Sequence, residues 1–240
     1  MIAIFAGVWI LAAGIILWAW TFSHALAPGQ PENQQKKPPV LSNLDGNLFQ
    51  AVRNDDLDAV RRCLREGADI NAVDSTGGTP LKVAIALNKV SIVREMADAG
   101  NDASFKDGRN LPLVYAIVQN KPEITRELLR SIANTQDVVN AIDKNGFTPL
   151  MYAVERNHVA VAQELLKAGA NVDKPNKEGY TPLMAAVTVG RADMVALLLK
   201  AGADTSAVSP EGETAMSLAR RRNRQVIISL LSGTQRPQFL

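Results

Sequence analysis

With 240 residues and a formal net charge of +2, the chain has room for one or two domains and too little positive charge to mark a nucleic-acid binder by itself. Hydrophobic residues make up 47% and charged residues 21%, proportions that argue against overall disorder. The lone cysteine, Cys63, excludes an intrachain disulfide, and an aromatic content of only 5% leaves Ala, Leu and Val to build thin, closely packed helical layers.

Residues Met1 to Phe22 carry no charged side chain. An apolar run of about 20 residues, wound as a helix, matches the hydrocarbon thickness of a bilayer. Trp18 and Trp20 stand near its end, where interfacial aromatics belong. No helical spacing leaves the polar face that a soluble helix needs. Residues 1–22 therefore read as a transmembrane helix, a single-pass N-terminal anchor. The alternative is an export signal. Ala25-Leu26-Ala27 has the small-x-small form of a cleavage site. Against cleavage, the run exceeds the usual core of about 7–15 residues, no Lys or Arg precedes it, and Pro28 would follow the cut. The side of the membrane stays open. Lys36 and Lys37 behind the segment place the rest of the chain in the cytoplasm by the positive-inside rule, whereas a working signal would place it in the periplasm. Residues 23–43, rich in Pro and Gln, read as an extended spacer with no apolar period.

Beyond the spacer the chain repeats itself. Gly77-Gly-Thr-Pro-Leu81, Gly146-Phe-Thr-Pro-Leu150 and Gly179-Tyr-Thr-Pro-Leu183 are three copies, and Leu111-Pro112-Leu113 is a degenerate fourth; their prolines stand 32, 37 and 33 residues apart. Four residues after each proline comes Ala84, Ala116, Ala153 or Ala186, and the column extends to Ala51 and Ala219. Four residues further stand Asp55, Asn88, Asn120, Asn157, Gly190 and Asn223, all types that tolerate a left-handed backbone or cap a helix. An apolar pair such as Leu165-Leu166 closes each unit, and Gly67, Gly100, Gly169 and Gly202 follow it.

The physics of one unit follows. Thr caps a first helix and Pro occupies its first position. The small Ala lets that helix lie close to its neighbours, and Asn or Gly turns the chain. A second helix, such as Val159 to Leu166, carries apolar residues at helical spacing. One such unit cannot bury its own apolar face, so at least three must stack. Residues 44–232 divide into six units, 45–73, 74–106, 107–142, 143–175, 176–208 and 209–232, with residues 233–240 as a flexible tail.

The run Asp143-Lys-Asn-Gly-Phe-Thr-Pro-Leu-Met-Tyr-Ala-Val-Glu-Arg-Asn-His158, completed by Glu164-Leu-Leu-Lys-Ala-Gly-Ala170, resembles the ankyrin repeat. The resemblance covers about Asp45 to Leu231 and implies an all-α ankyrin-repeat solenoid behind the N-terminal transmembrane helix. There are departures. Lys82, Val114, Met151, Met184 and Ser217 stand where the family's pattern has His after Thr-Pro-Leu, so the hydrogen-bond network of that His is absent or replaced. The third unit lacks the Gly-Ala turn and carries about four extra residues around Ser131 to Asp137, which lengthen its second helix or the following loop. The first unit lacks Thr-Pro and the last has Thr214-Ala215, as capping units do.

The residues supply no catalytic constellation. His24 and His158 are the two histidines, and both read as structural, so no metal set or His-based triad assembles. Cys63 falls in a core pair and reads as buried. The glycines follow the repeat and form no phosphate loop. The sequence thus points to no enzyme, no cofactor, no metal, no nucleic acid and no small-molecule substrate.

Family resemblance implies that a protein partner meets the turn tips and the inner face of the first helices. At the tips this gives Phe147 and Tyr180, flanked by Lys144, Asn145, Lys177 and Glu178. Exposed rings there would serve as binding anchors; the alternative is that each folds back on the adjacent turn. On the inner helices it gives Leu87, Glu155 and Arg156. Arg220, Arg221, Arg222 and Arg224 form a basic cluster, read as a solvated end cap or as a site for an acidic partner or lipid headgroups. The function expected is a tethered or exported protein-binding scaffold, as an inhibitor or immunity protein for a toxic effector or an accessory factor of an envelope enzyme. The alternative is a structural organiser that binds lipid or self-associates through the stack.

Overall fold

The computed structural model describes residues 41–99, 112–132, 135–143 and 146–234. The apolar segment 1–22, the spacer up to residue 40 and the end of the tail lie outside the described residues, as do Lys144, Asn145 and residues 100–111. Among the described residues there is no strand, and no helix is long and apolar enough to cross a membrane.

Helices come in pairs. The first pair is α1 (Asn43–Arg53) and α2 (Leu57–Arg65), the second α3 (Pro80–Ala86) and α4 (Val90–Asp98), the third α5 (Pro112–Val118) and α6 (Pro122–Ser131). A five-residue helix, α7 (Thr135–Val139), accommodates the extra residues of the third unit. Then come α8 (Pro149–Glu155) with α9 (Val159–Lys167), α10 (Pro182–Val189) with α11 (Ala192–Lys200), and α12 (Ala215–Arg221) with α13 (Gln225–Thr234). First helices pack on first helices, α1, α3, α5, α8, α10 and α12 in turn, and second helices form a parallel column. The product is an all-α ankyrin-type solenoid whose core runs along its length.

Local chemistry sets the boundaries. Thr79, Thr148 and Thr181 each accept from the backbone N–H three residues on, at 3.3, 3.2 and 3.3 Å, with Pro80, Pro149 and Pro182 at the first helical position. The two end units, which lack Thr-Pro, solve the same problem differently. Ser42 caps α1 through Asp45, while Thr214 and Ser217 form a reciprocal capping box. Asp55, Asn88, Asn120, Asn157 and Asn223 all hold φ between 53° and 61°, with Gly190 at 84°. Each reverses the chain between the paired helices in the one backbone region that favours these types.

The core is made of columns. Leu48, Leu81, Leu113, Leu150 and Leu183 are fully buried, as are Ala84, Ala116, Ala153, Ala186 and Ala219. Each such leucine contributes roughly 2–3 kcal/mol, but only once a neighbouring unit covers it. Met151 and Met184, standing where the family has His, are buried as well. Apolar packing thus replaces the missing histidine network in the central repeats.

On the outer helices an ionic ladder joins successive repeats. Arg61 pairs with Glu95 at 2.8 Å, Arg94 with Glu127 at 2.8 Å and Arg126 with Glu164 at 2.7 Å. Glu127 and Glu164 are buried and each takes a second cation, Arg130 and Lys167 respectively. Those contacts hold both carboxyls below their ordinary range. For Glu164, the hydrogen bond from Arg126 brings it to about 2 against the opposing effect of burial. His158 ties repeats together in another way, with Nδ1 lying 2.8 Å from the carbonyl oxygen of Ile117.

Candidate functional site

The tips are hairpin-like turns built by one rule. In each of the four described tips, an Asx or Ser side chain accepts the backbone N–H four residues on. Asp74 receives Gly78 at 3.0 Å, Asp143 receives Phe147 at 2.8 Å, Asn176 receives Tyr180 at 2.9 Å and Ser209 receives Glu213 at 3.4 Å. The backbone closes the same turns, with Asp143 N–H donating to the Phe147 carbonyl at 3.0 Å and Asn176 N–H to the Tyr180 carbonyl at 3.0 Å. Successive tips lie against each other. Gly146 and Gly179, at φ of 82° and 77°, present bare Cα positions to Lys177 and Pro210 of the following turn, where a Cβ would collide.

This stacking decides what the sequence-derived tip residues show to solvent. Phe147 is half-buried, its ring 5.5 Å from that of Tyr152 on its own first helix. Tyr152 is buried and donates its hydroxyl to Asp143 at 2.7 Å; burial first, then that carboxylate, push its ionisation well up. Tyr180 is half-buried too, and burial first, then Glu211 of the next turn, push its ionisation up. Both rings are thus partly covered by the stack and partly open to solvent. Lys177 and Glu178 are exposed beside Tyr180, whereas Lys144 and Asn145 lie outside the described residues.

Sequence reasoning missed a different feature of the tips. The residue just before each Asx or Ser is Val73, Ile142, Pro175 or Val208, and all four are exposed, the three aliphatics at 39%, 51% and 61%. Their recurrence in register places an apolar row along the tip edge. A column count one position upstream of these four turns would have found it, because exposed apolar residues recurring there have no core to serve.

On the inner face Leu87 is exposed at 46% and Arg156 is exposed, while Glu155 is half-buried. Burial lifts the Glu155 carboxyl to about 7, with Arg156 opposing the shift and Glu178 adding to it. The basic cluster is less of a unit than its sequence suggests. Arg221 pairs with Glu213 at 2.7 Å and Arg224 reaches the Val189 carbonyl at 3.5 Å across Gly190, whereas Arg220 is exposed and Arg222 half-buried. Cys63 is buried in the first repeat, its thiol pushed up by burial and by Glu66. It lines an open depression of about 330 Å³ between α1 and α2 together with Asn47, Gln50 and Arg62.

The arrangement offers surfaces for contact: an apolar tip row, partly open rings beside it and a mixed inner groove. Comparison with known proteins points the same way. The family described as ankyrin repeats in three copies matches residues 48–139, 132–209 and 168–237. A putative ankyrin repeat protein, YahD of Escherichia coli K12, is 31% identical over 107 residues, 44% of this chain and 51% of that protein. The human mitochondrial disaggregase is 39% identical over 66 residues, 28% of this chain and 9% of that protein. The chain thus spans about half or less of the length of these curated relatives. A solved ankyrin repeat domain from Acinetobacter baumannii AYE superposes with a TM-score of 0.65 at 34% identity, covering 78% of this chain and 96% of that one. By sequence, by fold and by the chemistry of its turns, the chain belongs to the ankyrin-repeat family.

Proposed function

We infer that this chain works as ankyrin-repeat proteins do in general, as a non-catalytic scaffold for protein–protein contact. We propose that this chain is a protein-binding scaffold held at, or exported across, a membrane by residues 1–22, and that it acts on one protein partner as an inhibitor, an immunity protein or an accessory factor of an envelope enzyme. The observation that carries the reading is the exposed apolar row Val73, Ile142, Pro175 and Val208. Aliphatic side chains repeated in register at the rim of a solenoid leave a strip that water disfavours and that a partner's apolar surface would cover. The half-buried rings of Phe147 and Tyr180 lie on the same tips and add their open area to it. Leu87, Glu155 and Arg156 extend the contact onto the inner helices.

The test is an affinity capture with the full chain from the cell that makes it, cross-linked before lysis. The expected result is one dominant protein in stoichiometric yield, lost when Ile142→Ser and Val208→Ser are combined. Unchanged capture by that double variant, or an empty capture from cross-linked cells, would overturn the reading. A reporter active only outside the cytoplasm, fused after Leu240, then separates the two sides of the membrane.

A further inference from the structure

The inner column formed by Arg53, Ala86, Val118, Glu155, Thr188 and Arg221 is unevenly satisfied. At its ends Arg53 meets Asp74 at 3.5 Å and Arg221 meets Glu213 at 2.7 Å. At its centre Glu155 is half-buried and forms neither a hydrogen bond nor an ion pair among the described residues. The buried carboxylates behave differently. Glu127 and Glu164 each hold two cations, and Asp143 holds the Tyr152 hydroxyl and the Phe147 N–H. One position along the column, Thr188 Oγ1 is fully buried with no hydrogen-bond partner. Two neighbouring positions of the column thus carry unsatisfied polar groups, the Thr188 hydroxyl sealed inside and the Glu155 carboxylate half-open to the inner face.

The surroundings withhold any internal solution. The helices that flank α8 in the stack, α5 (Pro112–Val118) and α10 (Pro182–Val189), contain no charged residue, and α5 offers only Tyr115 as a titratable group. On its own helix Glu155 is faced by Tyr152 and followed by Arg156; Glu178, with Lys177 beside it, approaches from the next tip. His158, at the start of α9, is turned to the Ile117 carbonyl. Arg156 sits next in sequence but makes no ion pair with Glu155. A desolvated carboxylate without a cation is costly, and desolvation is what lifts this carboxyl towards neutrality.

We propose that Glu155 is the polar seat for a lysine or arginine side chain of the protein partner, carried on a segment that is otherwise uncharged where it crosses Val118, Leu87 and Val189. This rests on the protein-binding reading above and specifies its partner. The ammonium of a lysine has three donors and the guanidinium of an arginine a planar fork, and either can meet both oxygens of the carboxylate. The incoming cation restores the ionised form of Glu155, so docking releases a proton over the range in which the free carboxyl is protonated. Affinity therefore falls as pH drops through about 7, by up to tenfold for each further unit.

The experiment selects a displayed library of random dodecapeptides on the full chain, kept in mild detergent, at pH 8. The expected winners carry a central Lys or Arg between apolar residues. Their affinity should drop at least tenfold on replacing that residue by norleucine, on Glu155→Gln, and on lowering the pH to 5.5. In the Glu155→Gln protein the pH dependence should vanish, and Thr188→Val, at a hydroxyl sealed from the partner, should leave affinity unchanged. Winners without a basic residue, or winners indifferent to Glu155→Gln, overturn the proposal and leave the protein-binding reading standing. A selection that enriches nothing counts against both.

Discussion

Replacing Glu155 by Gln isolates a charge that the fold disfavours, and its effect can be worked out without knowing the partner. The carboxyl titrates at about 7 in the stack and at 4.5 in an ordinary setting, because burial dominates over the help of Arg156. At about 1.4 kcal/mol for each tenfold change in proton affinity, the ionised form costs the folded state up to about 3 kcal/mol. The sign follows from proton counts. Between pH 4.5 and 7 the folded protein holds a proton that the unfolded chain has lost, so this group lowers stability as pH rises across that window. Glu155→Gln removes the term. Urea melts of parent and variant at pH 4.5 and pH 8 read it directly. The stability gained by the variant should be small at pH 4.5 and larger by about 1–3 kcal/mol at pH 8, the lower figure allowing for partial solvent access. A gain independent of pH, or a loss at pH 8, would refute the reasoning.

Other expectations concern single contacts. Arg126→Leu leaves the buried Glu164 with Lys167 alone and should cost about 2–3 kcal/mol at pH 7, read by thermal or urea unfolding. The benefit of Glu164 is present above pH 4.5 and is lost as pH falls towards 2, so an acid titration of the Glu164→Gln variant against the parent should converge there. Gly212 and Gly179 share a φ near 78°, but a Cβ on Gly212 meets open space while one on Gly179 strikes Pro210. Gly212→Ala should therefore cost about 1 kcal/mol and Gly179→Ala measurably more. Asn157 sits at φ 57° and its Oδ1 finds no partner, so its role is in the backbone; Asn157→Gly should be close to neutral and Asn157→Val should cost about 1–2 kcal/mol in the same assay.

What the sequence could and could not reveal divides by the range of the forces. Thr79, Thr148 and Thr181 were legible as caps, and Asn88, Asn120 and Asn157 as left-handed turns, because one or two residues meet each need locally. The repeat register then placed the leucine and alanine columns in the core. The tips were only half legible. Phe147 and Tyr180 stood at the expected positions, but how much of each ring reaches solvent depends on Tyr152 in one case and on Ser209 and Glu211 in the other. The apolar row of Val73, Ile142 and Val208 shows only when exposure is known, since each residue alone could pass for core. The partnerless state of Glu155 depends on what adjacent repeats fail to supply, and no motif encodes an absence.

The ionic ladder stops partway along the molecule. Arg61, Arg94 and Arg126 reach Glu95, Glu127 and Glu164, but the next rungs in register would need Gln163 and Leu197, then Ala196 and Leu230. The first three junctions between repeats therefore have a rung of the ladder that added electrolyte weakens, and the last two lack that rung and are joined by apolar packing and by hydrogen bonds such as Asp204 N–H to Asp173 and Arg224 to the Val189 carbonyl. Because a solenoid comes apart at its weakest junction, ionic strength selects the end from which this one frays: the C-terminal repeats open first in dilute buffer, and the N-terminal half loses its advantage as salt is raised.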